Sequence, residues 1–344
     1  MTSATRPDTR EAWELLRRAR EVTGPELRRV VGGLPEPVRK VAQYHFGWRD
    51  ASGNPAPGDW GKGVRGALTL ASAQACGGGT EEAIRAAVCV ELVHNFSLLH
   101  DDLMDNDRLR RGRPTAWALF GDARAVLAGD ALLATALNVL IAEQPSSMAA
   151  VRELSETLLG LMAGQGADLA SEARDDVAPE DWLRMAAGKT ASLFAGACAM
   201  GALAVDARPD QVAGARAFGH HVGQAFQLTD DLLAIWGDSD ISGKPVGGDL
   251  QRRKQSFPVV AALMSGTAAS RELAELVGGG APLSPAEIHR ATVLMAEAGG
   301  RELTRREAAR HRILALGQLT SLAPEPEGRR ILESIAHLAT HRER

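Results

Sequence analysis

Two carboxylate clusters, each followed by cations, carry the chemistry written in this sequence. The first is His100-Asp101-Asp102-Leu103-Met104-Asp105, followed by Arg110-Arg111-Gly112-Arg113-Pro114-Thr115. The second is Gln227-Leu228-Thr229-Asp230-Asp231, followed by Gly243-Lys244 and Lys254. Carboxylate oxygens suit hard Mg²⁺, which takes one or two protein carboxylates and completes its shell with substrate phosphates. Arginine forks suit the phosphate oxygens that remain. Acids and cations in this order are what a chain needs to hold metal ions and a multiply charged phosphate together.

On a helix, Asp101 and Asp105 lie one turn apart on one face, with Asp102 beside them. His94 and Ser97 continue that stripe below Asp101. Three acids so close repel one another, and a divalent cation removes the cost. A solvated acidic patch fits less well, because the acids follow the largely apolar run Phe96 to Leu99. Further cations stand elsewhere. Lys62 and Arg65 open a helix in Gly61-Lys62-Gly63-Val64-Arg65-Gly66, where backbone amides favour anions. Lys189-Thr190 interrupts the apolar segment Met185 to Ala204, and a lysine there needs a partner. Lys244 sits in the Gly-rich run Gly243 to Asp249, which lacks the spacing of a nucleotide P-loop.

The elements that must position these residues are helices. Ala and Leu are abundant, aromatics make up only 4%, and period-2 alternation is rare. The pattern predicts helices over 10–32, 62–76, 80–106, 124–142, 147–170, 179–204, 208–236, 255–265, 284–298, 300–318 and 326–341. Gly and Pro clusters separate them. No long linker divides the chain. The expectation is therefore a short flexible tail over 1–10 and one large all-α domain over 11–344, with the site between facing helices.

The chain has 344 residues with 45% hydrophobic content, ample for a large core. Its 39 basic and 43 acidic residues leave a net charge of −4, which points to neither nucleic acid nor an anionic membrane surface. Cys76, Cys89 and Cys198 have no CxxC spacing and read as apolar thiols in a reducing cytoplasm. Residues 1–10 hold no apolar core of a signal peptide. The segment Ala125 to Ala142 is near spanning length, but it carries Asp130 and lacks aromatic belts, so it reads as a core helix with no stable membrane insertion.

Taken in order, GKxxR, HxxSLLHDDxxDxxxxRRGxPT, GKT, FQxxDD and GKxxGxD resemble the all-trans isoprenyl diphosphate synthases, or polyprenyl synthetases. The similarity is greatest to short-chain members such as geranylgeranyl diphosphate synthases. It runs from about Gly61 to Pro258 and continues weakly beyond. The resemblance implies a single helical bundle with a central active-site cavity, a homodimer, and three Mg²⁺ ions. It implies that Asp101, Asp102 and Asp105 hold two of those ions against an allylic diphosphate, and that Asp230, with Asp231 beside it, holds the third. It places Arg110, Lys189 and Lys244 at the allylic diphosphate, and Lys62, Arg65, His94 and Arg111 at isopentenyl diphosphate. Thr190 and Gln227 match residues that steady the allylic cation, and Lys254 matches a lysine that closes over the site. Two positions depart from the family pattern. Ala234 stands where a third Asp is usual, which weakens one metal site. Gly66 stands where a proline is usual, which is expected to loosen the backbone beside Arg65.

The resemblance also places product length at Phe96 and Ser97, five and four residues before Asp101. One aromatic with a small neighbour resembles the archaeal-type pattern for a C20 product, whereas two adjacent aromatics would favour C15. Phe96 packing in an ordinary core, with chain length set by a neighbouring helix, stays open. Two other readings also stay open: a class I terpene cyclase on the same scaffold, which needs no basic isopentenyl site, and a non-catalytic partner subunit, which needs no intact first motif.

Overall fold

The computed structural model describes residues 9–58, 60–141, 147–171, 174, 176–237, 248–251, 254–278, 282–322 and 325–340. The chain is almost wholly helical and divides into two compact units. The first comprises Met1–Glu156, Gly196–Arg216 and Leu319–Ile335; the second comprises Thr157–Ala195, Ala217–Gln318 and Ala336–Arg344.

The first unit is built around α4 (Thr80–Met104). Ala86, Ala87, Val88, Cys89, Val90, Leu92 and Val93 are all buried, so this helix is apolar all round, as a central helix must be. It packs most extensively on α6 (Asp122–Ile141) and next on α3 (Val64–Ala75). The buried face of α6 is Ala125, Ala128, Gly129, Leu132, Ala136 and Val139, a helical stripe of mostly small residues that lets the two axes approach. By length and composition alone α6 could cross a membrane. In the structure that stripe instead covers α4, while Leu127 and Ile141 remain exposed. Around this pair stand α1 (Thr9–Gly32), α2 (Val38–His45) and α5 (Ala116–Phe120), with the small hairpin β1 (Leu109–Arg110) and β2 (Arg113–Pro114). The sequence pattern does not predict α2, α5 or the hairpin.

Three helices run through both units: α7 (Ser147–Ser171), α9 (Ser192–Leu203) and α10 (Pro209–Trp236). In the second unit, α8 (Pro179–Ala186) leads into a five-residue π-helical turn, Ala187–Ala191, and then into α9. The sequence pattern reads that whole stretch as one regular helix. After the four-residue α11 (Gly248–Gln251) come α12 (Phe257–Leu263), α13 (Ala268–Val277), α14 (Pro285–Glu297), α15 (Gly300–Leu322) and α16 (Pro326–Thr340). α13 is also missing from the sequence expectation. One apolar cluster joins Ile235 of α10 to Val259, Leu273, Leu294 and Met295; a second joins Trp182, Leu228 and Phe257. Cys76, Cys89 and Cys198 are all free thiols, and burial pushes the Cys198 thiol up to about 12.

In the second unit, α10 and α15 meet at a histidine pair. His221 Nδ1 and His311 Nδ1 are 3.1 Å apart, so one ring must donate to the other. Burial, together with neighbouring His221, His220 and Arg310, holds His311 down at about 4. A histidine whose folded pKa is depressed stabilises the fold above its unfolded pKa, and that stability drains as pH falls from about 6.5 through 4. Wild-type protein is therefore expected to lose about 1–3 kcal/mol more stability than His311→Asn across that window. Parallel denaturation profiles for the two proteins between pH 7 and 4.5 would contradict this.

Candidate functional site

The first acid cluster sits at the C-terminal end of α4. Asp101 and Asp102 lie in its last turn, and Asp105 is the C-cap, its N–H donating to the Asp101 carbonyl at 2.8 Å. That end of a helix carries the negative pole of the backbone dipole, so it is the wrong end for acids. Asp102 is 1% exposed. Arg110 Nε donates to its Oδ1 at 2.7 Å, while Oδ2 is buried without a hydrogen-bond partner. Burial pushes the Asp102 carboxyl up to about 6 even against the pull of Arg110. An orphaned buried carboxylate oxygen among acids is the chemistry of a site built for a cation. Among the described residues no group of three His, Cys, Asp or Glu side chains stands close enough to hold a metal ion by itself.

The arginines that follow are presented by the hairpin. Its strands pair Arg110 with Arg113, leaving a two-residue turn at Arg111-Gly112. Both turn residues have positive φ, 52° and 70°, the geometry that matches the twist of a tight hairpin. A non-glycine residue pays for that conformation, so Arg111 is held in a costly pose. α2 braces the hairpin: Tyr44 Oη donates to the Pro114 carbonyl at 2.8 Å, and Arg113 stacks over the Tyr44 ring at 4.3 Å. His45, at the end of α2, is driven down to about 3 by burial and by Arg110, Arg111 and Arg113, so it stays neutral beside them. A cavity of about 190 Å³ opens here, lined by His45, Asp102, Arg110, Arg111 and Thr115 among others.

The second basic group converges in the same unit. Arg65 lies 3.2 Å from His94 Nε2. A guanidinium only donates, so His94 must accept there as a neutral ring. Burial and the charges of Arg65, Arg111 and Arg110 hold His94 well below its usual value, in agreement. A Cβ on Gly61 would come within 2.7 Å of the Arg111 guanidinium, which places Arg111 against the backbone next to Lys62. Lys62 Nζ lies 5.1 Å above the Trp13 ring. Gly66 overturns the expectation of a looser backbone. It is buried inside α3, and its N–H donates to Glu91 at 2.8 Å. A proline could not make that bond. Glu91 is itself buried, and burial raises its pKa against this hydrogen bond and the nearby arginines. Phe96 and Ser97 lie on α4 below these groups. Phe96 is buried, and the Ser97 hydroxyl donates to the His94 carbonyl at 2.8 Å.

The second unit holds the remaining residues. The π-helical turn that carries Lys189 and Thr190 packs onto α7 through glycines. Any Cβ on Gly164 would collide with the Lys189 backbone nitrogen, and one on Gly188 would stand 2.7 Å from Gly164 Cα. This approach delivers Lys189 Nζ to Asp168 at 2.5 Å, and Lys254 lies 3.5 Å from the same carboxylate. Asp168 is 4% exposed; burial alone would raise its pKa, but Lys254 and Lys189 outweigh that and hold it below the usual value. Asp168 is the residue that the sequence reading missed. The spacing Gly160, Gly164, Asp168 repeats every four residues and marks a close helix contact ending in an acid, which would have been its signal.

Thr190 and Gln227 do meet: the Thr190 hydroxyl donates to Gln227 Oε1 at 2.7 Å. Gln227 Nε2 donates to Asp231 Oδ1 at 3.0 Å, and the Phe257 N–H donates to Asp231 Oδ2 at 2.8 Å. Asp231 thereby ties α10 to the start of α12. Asp230 next to it is partly exposed. Ala234, one turn on, supplies no third carboxylate. Lys244 lies outside the described residues.

Known proteins resemble this chain in sequence and in fold. The polyprenyl synthetase family model matches residues 56–295. A geranylgeranyl diphosphate synthase of Mycobacterium tuberculosis is 45% identical over 315 residues, 91% of this chain and 90% of that protein. A (2E,6E)-farnesyl diphosphate synthase of Mycobacterium bovis is 42% identical over 339 residues, 97% and 94% of the two chains. The crystal structure of a polyprenyl synthetase from Streptomyces coelicolor superimposes with a TM-score of 0.92 at 44% identity, covering 95% of this chain and 98% of that one. A polyprenyl synthase from Caulobacter crescentus, solved with calcium and isoprenyl diphosphate, matches with a TM-score of 0.83 at 26% identity, covering 99% and 100%. The chain belongs to the polyprenyl synthetase family and is an isoprenyl diphosphate synthase.

Proposed function

We propose that the protein is a Mg²⁺-dependent prenyltransferase that condenses isopentenyl diphosphate with a C5 to C15 allylic diphosphate and releases geranylgeranyl diphosphate (C20). The observation that carries this reading is the pair of cationic groups in the first unit. Arg110 is bonded to the buried acid Asp102, while Arg65 meets His94 and Arg111 lies against Gly61, next to Lys62. Two anionic substrates need two such groups, whereas a cyclase acting on one substrate needs one. The neutral form of His94 suits it to orient the second diphosphate by hydrogen bonding while its neighbours supply the charge.

In this reading Asp101, Asp102 and Asp105 of the first unit, and Asp230 of the second, would hold the metal ions, three in number, whose charge would support a departing diphosphate. Arg110, Lys189, Lys244 and Lys254 match the family's diphosphate-contacting positions. The allylic C–O bond breaks, and its electrons leave with the diphosphate. The double bond of isopentenyl diphosphate then forms the new C–C bond to the allylic carbon. The adjacent proton passes to the diphosphate, which restores a double bond. Thr190 and Gln227, bonded to each other, would offer their remaining lone pairs to the developing cation, and preorganised dipoles of this kind are the largest usual source of catalysis. The small Ser97 with the bulky Phe96 favours a C20 end point over C15. The relatives named above include both a geranylgeranyl and a farnesyl diphosphate synthase, so their names do not choose between these lengths. The same reading makes the protein a cytoplasmic homodimer, and the exposed Leu127 and Ile141 of α6 suit such a contact.

Incubation with Mg²⁺, labelled isopentenyl diphosphate and C5, C10 or C15 allylic diphosphate is expected to give products that end at C20. Products ending at C15 would keep the reaction and overturn the length. Cyclic hydrocarbon formed from an allylic diphosphate alone would replace the reading with a cyclase.

The two acids of the second cluster are expected to separate. Asp231→Ala removes two hydrogen-bond acceptors and is expected to cost about 1.5–3 kcal/mol of stability. Asp230→Ala is expected to stay within about 0.5 kcal/mol of wild type while turnover falls at least about 100-fold and more Mg²⁺ is needed for half-maximal rate. Denaturant melts and Mg²⁺ titrations of both variants check this; equal effects on stability would contradict the division of roles.

A further inference from the structure

His100 is the residue of the first motif that the chemistry above does not use, and it sits on a surface shaped for it. Gly129 of α6 faces its ring. A Cβ at position 129 would stand only 2.5 Å from His100 Cδ2 and closer still to Nε2, so the ring and any larger residue cannot share the space. Seated there, His100 has its Nε2 3.2 Å from the Val126 carbonyl and 3.7 Å from Asp130 Oδ1. These partners fix the plane of the imidazole from the α6 side. Its other side meets Phe96, one helical turn earlier on α4, with ring centroids 4.8 Å apart at 66°. That edge-on contact is a favoured aromatic geometry.

A phenyl side chain on a helix has two good χ1 wells. Contact with a ring that is itself fixed selects between them. Ser97, beside Phe96, has spent its hydroxyl on the His94 carbonyl and projects little bulk. Of the two positions below Asp101, one is therefore held large and the other is small.

We propose that Gly129 and His100 are specificity-determining positioning residues: the His100 ring, seated on Gly129, holds Phe96 where it stops growth of the product chain. This rests on the prenyltransferase reading above and deepens it. Neither residue touches the reacting atoms in this account. Bulk at Phe96 ends elongation only while the ring is unable to swing aside, and the contacts that prevent the swing come from α6.

The test is the product distribution from a C15 allylic diphosphate and isopentenyl diphosphate, measured as a ratio of lengths at whatever turnover each variant retains. His100→Ala and Gly129→Ala are expected to raise the fraction of products longer than the wild-type end point at least threefold. His100→Asn keeps a polar group for Val126 without the ring, and it is expected to lengthen products as the alanine does. His100→Phe keeps the ring contact and is expected to restore the wild-type length, which a merely structural role for His100 would not produce. Wild-type product lengths in both His100→Ala and His100→Asn would overturn the inference, as would equal lengthening in His100→Phe. Wild-type protein that elongates nothing would instead overturn the prenyltransferase reading beneath it, so the two failures are distinguishable.

Discussion

Three carboxylates at the C-terminal end of α4 set the problem that the first unit solves. The helix dipole is negative there, the acids repel one another, and Asp102 is almost wholly buried. A single cation, Arg110, is bonded to one oxygen of Asp102, and the other oxygen has no hydrogen-bond partner. A ligand that carries positive charge would relieve that cost. The surrounding structure follows from that need. α4 must be rigid and central, hence apolar on every face and covered by the small-residue stripe of α6. The arginines must sit close without collapsing onto the acids. A tight hairpin achieves this by placing Arg111 in a strained turn and anchoring Arg113 on Tyr44.

The second unit meets a related problem with a different device. Lys189 lies in an otherwise apolar stretch, where an unpaired ammonium is costly. The π-helical turn inserts one extra residue per turn and redirects the side chains that follow, and such turns recur at functional sites. Glycines at 160, 164 and 188 let the turn lie directly on α7, where Asp168 receives both Lys189 and Lys254. Asp168 thus pairs with both lysines at once. The hydrogen-bond chain from Thr190 through Gln227 and Asp231 to the start of α12 fixes the neighbouring acid, Asp230, on a braced helix.

The chemistry-bearing residues were legible in the sequence because they are local. Asp101 and Asp105 need only helical spacing, and Arg110 and Arg111 need only to follow. The long helices were legible for the same reason, through apolar periodicity and the glycines that end them. What escaped depends on contacts across the chain. Asp168 gains its meaning from lysines far along the sequence. The hairpin hides in a run of arginines with no alternating pattern, and α2 and α13 are too short and too polar to stand out from loops. Gly66 misled most directly. As a substitute for proline it suggests slack, but its N–H is the partner of a glutamate on another helix. The π-helical turn cannot be told from α-helix by composition, because its residues, Ala187 to Ala191, suit both.

A site that takes metal and diphosphate together should be stabilised by the pair far more than by either ligand alone. Thermal unfolding should be measured for the protein alone, with Mg²⁺, with inorganic diphosphate, and with both. Little change is predicted with either ligand separately and a rise in Tm of about 5 °C or more with both, since metal and diphosphate neutralise each other as they bind. An equal rise with diphosphate in the presence of a chelator, or no rise under any condition, would contradict it.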